Sequence, residues 1–561
     1  MKKTFETVPE KLGFFVFALF YAAVWFILLR KCRYGVANFD EAFYLTIPYR
    51  LCQGDQLLVH EWNLSQLSAP LLFLPFKIYL LLFGGTDGVF FAFRRLFILL
   101  WGGGGIVLFS RLRRISVPGA MAAALVFLIF TPNNIMALSY FSMGILAVSL
   151  SAVLVCTARR FLALQYALAG ILFSAAVLCC PYLAGFFVLF SLWALWAFLR
   201  RREQDASVLY AFRWFLLGVG ISAAVFLAFF FPRVPLKQML ASIPWILKDP
   251  EHESQSLIQK TVSYFSCVFT SSSVAGVCCA AAVAVPLFAR LKKKPAAGFV
   301  VECIVCAGML ASYHLARKGI NYLMFPLSFL GLYCRLNSDD PQIRRVFRLI
   351  WIPGAVYSFC LHLASNQFFY AVSAGATVMA IASALVAFRF LAPYRQAGKL
   401  RAVLIASLSL LVVLQLGTEL TQRWQDVYWE TGIADQTEWV DYGPDEGLFV
   451  SPKAKLLYDR MEADIAAIRE MGEVKSVLFL APHTWPYLSA EKDFGTYSAW
   501  LSKMSKATLE RLDAYYSLNP EKQPDLIYII EPYQAYVGHF EAMGYRVEKE
   551  GVAGFFLRLF R

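Results

Sequence analysis

Along this chain the apolar residues gather in blocks rather than alternating with polar ones. From the N-terminus to residue 418, runs of about 15–24 apolar residues are separated by short polar stretches rich in arginine and lysine. Such a run is the length a helix needs to cross roughly 30 Å of hydrocarbon. The blocks predict spans at 12–30, 88–110, 118–131, 142–158, 162–179, 182–199, 209–231, 265–289, 296–313, 319–334, 347–364, 369–391 and 402–418. One further block, Leu71–Phe83, is ambiguous. As a helix it is only about 20 Å long, and it carries Pro75 and Lys77.

Charge resolves the ambiguity. If Leu71–Phe83 does not span and Lys2, Lys3 and Lys11 are cytoplasmic, the basic clusters at 111–114, 159–160, 200–202, 290–294, 344–348 and 395–401 all fall on the cytoplasmic side. If it does span, all of them fall outside, against the positive-inside rule. Leu71–Phe83 is therefore expected to lie on or re-enter the outer membrane surface. That leaves about thirteen spans, with the N-terminus in and the C-terminus out. Three stretches then face the exterior: Lys31–Pro70 with the surface helix, Pro232–Tyr264, and everything after about Glu419. The last mixes its charges and predicts an amphipathic helix at Ala454–Met471. Short strands follow at Val477–Leu480 and Leu526–Ile530, the pattern of an α/β domain. The expected organisation is a membrane domain over 1–418, whose first outer loop covers 31–87, and an extracytoplasmic α/β domain over 419–561.

Composition narrows the function classes. Of 561 residues 59% are hydrophobic and 16% charged, which excludes a soluble enzyme, a secreted disulfide scaffold and a disordered chain. The net charge of +14 sits in the loops between spans, so it calls for membrane lipids and not for nucleic acid. Ten of the twelve cysteines lie in or beside apolar blocks, where a thiol acts as a small hydrophobe. Cys303 and Cys306 have CxxC spacing but no histidine partners. Cys32 and Cys52 flank the first outer loop and could bridge if it is extracytoplasmic. Gly102–Gly105 most simply permits close helix packing. No cleavable leader is read at the N-terminus.

The string Asn38-Phe39-Asp40-Glu41-Ala42-Phe43-Tyr44 opens the first outer loop. Two adjacent carboxylates beside lipid are costly unless solvated or paired, so one reading is a solvated loop with Asp40 capping the helix that follows. Further along come Gly54-Asp55, Glu61-Trp62-Asn63, Gln66-Leu67-Ser68-Ala69-Pro70 with the short surface helix, and Phe93-Arg94-Arg95-Leu96. That order resembles the GT-C superfamily of integral membrane glycosyltransferases, in the branch of protein O-mannosyltransferases and the lipid A aminoarabinose transferase. The similarity extends to Arg317-Lys318-Gly319-Ile320-Asn321-Tyr322-Leu323-Met324-Phe325-Pro326.

The resemblance implies transfer of a sugar, with inversion, from a polyprenyl-phosphate donor to a glycan, lipid or protein acceptor at the outer face of a bacterial plasma membrane. Asp40 matches the family's catalytic carboxylate, and Glu41 would position the acceptor or tune the base. Arg317 and Lys318, with Tyr322, would bind the donor phosphate; interfacial snorkelling explains these cations equally well. Arg95 would reach that phosphate or pair with a loop carboxylate. Asp55, His60 and Glu61 would line the substrate site. Many relatives carry a second Asp between the third and fourth spans, and Ser142 stands at about that place. A divalent cation held by Asp40 and Glu41 is left open. Two rival readings remain: a transporter or flippase of lipid-linked sugars, and an inactive scaffold for cell-envelope assembly.

Overall fold

The computed structural model describes residues 8–36, 40–130, 135–199, 206–230, 232, 234–250, 255–270, 324–365, 367–391, 417, 420–427, 430–501, 504–531 and 533–559. Among them, seven helices are long and apolar enough to cross a membrane: Lys11–Lys31, Val89–Leu112, Tyr140–Thr157, Leu162–Cys179, Ser207–Phe229, Pro341–Ala364 and Phe369–Phe390. Val117–Ile129, Leu183–Trp196 and Leu327–Leu336 are shorter apolar helices at other expected spans. The expected span at 296–313, most of that at 265–289 and all but residue 417 of that at 402–418 lie outside the described residues, as do Arg317, Lys318 and Tyr322. The chain is a multi-pass helical membrane protein.

Packing divides these helices into a wet-free interior and a lipid face. Large apolar side chains stand exposed on the flanks, among them Phe15, Leu19, Leu99, Leu189 and Trp196. A surface that apolar is stable against acyl chains rather than water. The Phe369–Leu391 helix is the innermost, packed against Val117–Ile129, Met324–Leu336 and Ile352–Ala364. Gly102–Gly105 does what its composition suggests. Tyr21 Oη donates to the Gly102 carbonyl at 2.6 Å, and a Cβ at Gly102 or Gly105 would collide with Trp25 or Tyr21.

The short helix Pro70–Phe83 follows Ala69 and stops at Gly84, whose φ of +75° ends it in the left-handed conformation. Leu72, Phe76 and Tyr79 are buried, Phe76 against Tyr49 and Phe93. Leu74, Leu81, Leu82 and Phe83 are exposed. One face packs on protein while the other is exposed and, apart from Lys77, apolar, as expected of a helix lying in a membrane interface.

The C-terminal residues build two small sheets. β1 (Glu438–Trp439) pairs antiparallel with β2 (Phe449–Val450). The main sheet holds β3 (Ser476–Leu480), β4 (Asp493–Phe494), β5 (Leu526–Ile529), β6 (Tyr545–Glu550) and β7 (Phe555–Leu559) in the order β4-β3-β5-β7-β6. β3 runs parallel to β4 and β5, and β7 is antiparallel to β5 and β6. β3 and β5 are buried throughout, which explains why they read as continuous apolar runs. The helix Pro452–Glu470 covers the expected amphipathic segment, with Ser451 Oγ accepting from Ala454 N. The β6–β7 hairpin was not expected. Its turn is held by Asp464, which accepts from the amides of Val552, Ala553 and Gly554 and from Tyr528 Oη.

This C-terminal domain is stitched to the first loop along three seams. Tyr34 bridges to Phe449, with Phe449 N donating to the Arg33 carbonyl and Gly35 N to the Phe449 carbonyl, both at 2.7 Å. Gly88 N donates to the Gly443 carbonyl at 2.9 Å, and Thr86 Oγ1 to the Leu488 carbonyl at 2.8 Å. The third seam runs through residues 50–62 and carries most of the charge.

Candidate functional site

The expected catalytic pair begins a 13-residue helix, Asp40–Cys52. Asp40 and Glu41 occupy its first turn, where the helix dipole favours negative charge. They meet different fates. Asp40 is half-buried. One helical turn on, Phe43 packs edge-on against Trp500 of the C-terminal domain, with ring centroids 5.3 Å apart. Tyr44, four residues from Asp40 and so on the same helical face, meets Tyr140 at 5.9 Å.

Glu41 is 1% exposed and fully committed. Arg94, from the membrane helix Val89–Leu112, holds it in a bidentate pair: Nε to Oε1 at 2.6 Å and Nη2 to Oε2 at 2.5 Å. Arg94 Nη1 also donates to the Cys32 carbonyl at 2.9 Å. Arg95, the arginine expected to reach a phosphate or a loop carboxylate, is exposed and stacks over the Phe91 ring at 3.8 Å. The partner of the loop carboxylate is thus the neighbouring arginine. Helical register explains the difference: Arg94 shares its stripe with buried Ile98 and Trp101, whereas Arg95 shares its own with exposed Leu99. Beside this pair lies Asp445, whose carboxyl is pushed well above its ordinary range by burial, against the pull of Arg94.

Asp55, His60 and Glu61 come together around Arg50, in the last turn of the same helix. Arg50 is 1% exposed. Its Nε donates to Asp55 and its Nη1 to Glu61 Oε2 at 3.1 Å. Its Nη2 crosses to the C-terminal domain, donating to the Thr496 carbonyl at 2.6 Å and Tyr515 Oη at 2.9 Å. Asp55 is shared with Lys522 of that domain. His60 lies between Asp55 (Nδ1, 3.5 Å) and Glu521 (Nε2, 3.4 Å). Burial pushes the Asp55 carboxyl up, but Arg50 and Lys522 together draw it below its ordinary value. Glu61 ends above its own, because burial outweighs Arg50. Burial likewise lowers His60, with Asp55 opposing and Arg50 and Lys522 adding.

Next to this cluster Trp62 is completely buried between Tyr497, stacked at 5.8 Å, and Tyr515, edge-on at 5.1 Å. Arg511 Nη2 donates to the Trp62 carbonyl at 3.0 Å, and its Nη1 lies 3.6 Å from Asp249. The stretch Pro232–Tyr264 contributes here too, with Gln238 Nε2 donating to Asn519 Oδ1 at 2.6 Å. A small apolar cleft of about 80 Å³ opens alongside, lined by Leu57, Leu58 and Leu67 of the first loop and by Phe226, Leu236 and Met239.

Ser142 is placed as a helix cap. Its Oγ accepts from Ser139 N and donates to the Ala137 carbonyl at 2.7 Å, in a capping box at the start of Tyr140–Thr157. Cys32 and Cys52 both carry free thiols. Among the described residues, no cluster of three or more His, Cys, Asp or Glu stands where it could hold a metal ion. Sequence reasoning missed Arg50, Trp62, Arg511, Tyr515 and Lys522. A lone arginine in the otherwise apolar Ile47-Pro48-Tyr49-Arg50-Leu51 was the available signal, since such a charge must find partners.

No family model and no curated protein matches the chain. Seven chains of solved structures do match. One is the crystal structure of ArnT from Cupriavidus metallidurans bound to undecaprenyl phosphate, with 13% sequence identity, 97% of each chain covered and a TM-score of 0.35.

Proposed function

We propose that this protein is an inverting membrane glycosyltransferase that moves a sugar from a polyprenyl-phosphate donor to an acceptor hydroxyl at the outer face of the plasma membrane, with Asp40 as general base. The observation that carries the reading is the placement of Asp40, half-buried in the first turn of a helix whose first turn is tied to Arg94 through Glu41 and whose last turn is tied to the C-terminal residues through Arg50. In the reaction Asp40 takes the acceptor hydroxyl's proton. The acceptor oxygen bonds to the anomeric carbon, whose bond to the phosphate oxygen breaks. The polyprenyl phosphate leaves with that electron pair. Arg317, Lys318 and Tyr322 are the proposed holders of its developing charge. The C-terminal domain lies outside the membrane in this reading, within a topology of about thirteen spans.

The test is native mass spectrometry of purified protein, followed by offering undecaprenyl-phosphate hexose and pentose conjugates with an envelope extract. The wild type is expected to bind a conjugate and release undecaprenyl phosphate. Asp40→Asn should bind equally and release nothing. Equal release by Asp40→Asn overturns the assignment of the base.

A further inference from the structure

We infer that the C-terminal domain is a working part of the Asp40 site, and that Arg50 is the positioning residue through which it aims the carboxylate. The inference rests on the reading of Asp40 as base and extends it to a second residue and a second domain. Asp40 and Arg50 sit ten residues apart on one helix, or about 15 Å along its axis. Pro48 removes one backbone hydrogen bond between them, but the helix stays continuous from Asp40 to Cys52, so a displacement at its last turn is transmitted to its first. At that last turn, among the described residues, the guanidinium is held by the first loop and the C-terminal domain. Its long-range contacts, the Thr496 carbonyl and Tyr515 Oη, belong to the C-terminal domain. Its carboxylate Asp55 is shared with Lys522 of the same domain.

Two more contacts tie the helix to that domain. The Arg50 guanidinium lies 5.1 Å from the ring centroid of Phe494, at the end of β4. Phe43 packs on Trp500 one turn from Asp40. The segment that follows β4, residues 495–501, therefore runs along the Asp40 helix from its last turn to its first. Misplacing a base by about 1 Å costs on the order of a hundredfold in rate, and this contact has that leverage on Asp40.

The experiment uses the full chain in lipid nanodiscs and the double variant Tyr515→Phe/Lys522→Met, which leaves the membrane helices and the Asp40 helix untouched in sequence. Hydrogen exchange over residues 40–52 should rise at least fivefold, with residues 140–157 and 476–480 unchanged. Binding of undecaprenyl phosphate should stay within twofold. With an undecaprenyl-phosphate conjugate that the wild type turns over, kcat should fall about tenfold or more at constant KM. Arg50→Lys should retain more turnover than Arg50→Gln. Unchanged exchange over 40–52, or a loss confined to KM, overturns the inference. If the wild type turns over no conjugate, the reading of Asp40 fails, and the exchange measurement alone then decides whether the domain positions its helix.

Discussion

The two ends of the Asp40–Cys52 helix are each closed by a buried arginine, and they are closed in different ways. At the first turn Arg94 meets one carboxylate head-on and spends its remaining donors on carbonyls of the same loop, Cys32 and Tyr34. At the last turn Arg50 is shared among two loop carboxylates, a phenol and a carbonyl, the latter two drawn from about 450 residues further along the chain. The first closure forms within the membrane domain. The second is complete only once the C-terminal domain is seated, because Thr496, Tyr515 and Lys522 come from it. A local bidentate pair fails all at once when one member is removed, whereas a distributed cluster loosens by degrees.

The largest effect is expected at the local closure. Arg94→Met strands Glu41 in a site that already holds a protonation-prone Asp445, and an uncompensated buried charge costs about 3–5 kcal/mol. The variant should melt far below the wild type in detergent, or fail to accumulate. Arg94→Met/Glu41→Leu should recover most of the loss, since removing both members leaves no orphan charge. A double variant as unstable as the single one would mean that the pair is not what holds this end.

At the distributed closure the greatest loss should come from the anchor rather than from any one charge. Trp62→Ala empties a pocket between Tyr497 and Tyr515 and is expected to cost about 3 kcal/mol. The loss should fall on domain seating. Limited proteolysis should cut between residues 420 and 450 faster, while the melting of the membrane helices followed by circular dichroism changes little. Coincident loss of both would show that the two domains unfold as one unit. Tyr515→Phe removes a single donor–acceptor contact to a guanidinium and should cost about 1.5 kcal/mol, measured as a lower melting temperature with the wild-type proteolysis pattern.

What the sequence revealed follows the same division. The seven long apolar helices, the short helix Pro70–Phe83 and strands β3 and β5 were legible because each is a long or continuous apolar run. β6 was not: Tyr545-Arg546-Val547-Glu548-Lys549-Glu550 is a charged, exposed edge strand whose composition fits a loop equally well. In the site, Asp40 and Glu41 stood out as adjacent carboxylates. The grouping of Asp55, His60 and Glu61 was legible as local acidity, but their partners Lys522, Glu521, Tyr515 and Thr496 were not. Pairing across some 450 residues leaves no periodicity to read. The choice between Arg94 and Arg95 was decidable from the burial stripe through Ile98 and Trp101, which adjacency alone does not reveal.

The smallest expected effect is a pH dependence of domain seating, carried by His60. Its ring faces Asp55 and Arg50 of the first loop and Glu521 and Lys522 of the C-terminal domain. Burial holds its pKa below the ordinary 6.5, so the seated state favours neutral imidazole. As pH falls below about 6.5 the unseated state takes up the proton first, and seating weakens until the seated ring titrates as well. Two neighbours act elsewhere. Asp55, held below 3.8, contributes a stabilisation that is lost only in stronger acid, as pH falls through its lowered value. Glu61, raised above 4.5, acts in the opposite sense: seating is favoured at low pH and weakens as pH rises from 4.5 towards its raised value. His60→Gln isolates the histidine, because glutamine keeps a polar contact and does not titrate. Cleavage rates between residues 420 and 450, followed from pH 7.5 to 5, should rise more steeply in the wild type than in His60→Gln. Parallel profiles would assign the acid sensitivity to another group and leave His60 as a neutral spacer between Asp55 and Glu521.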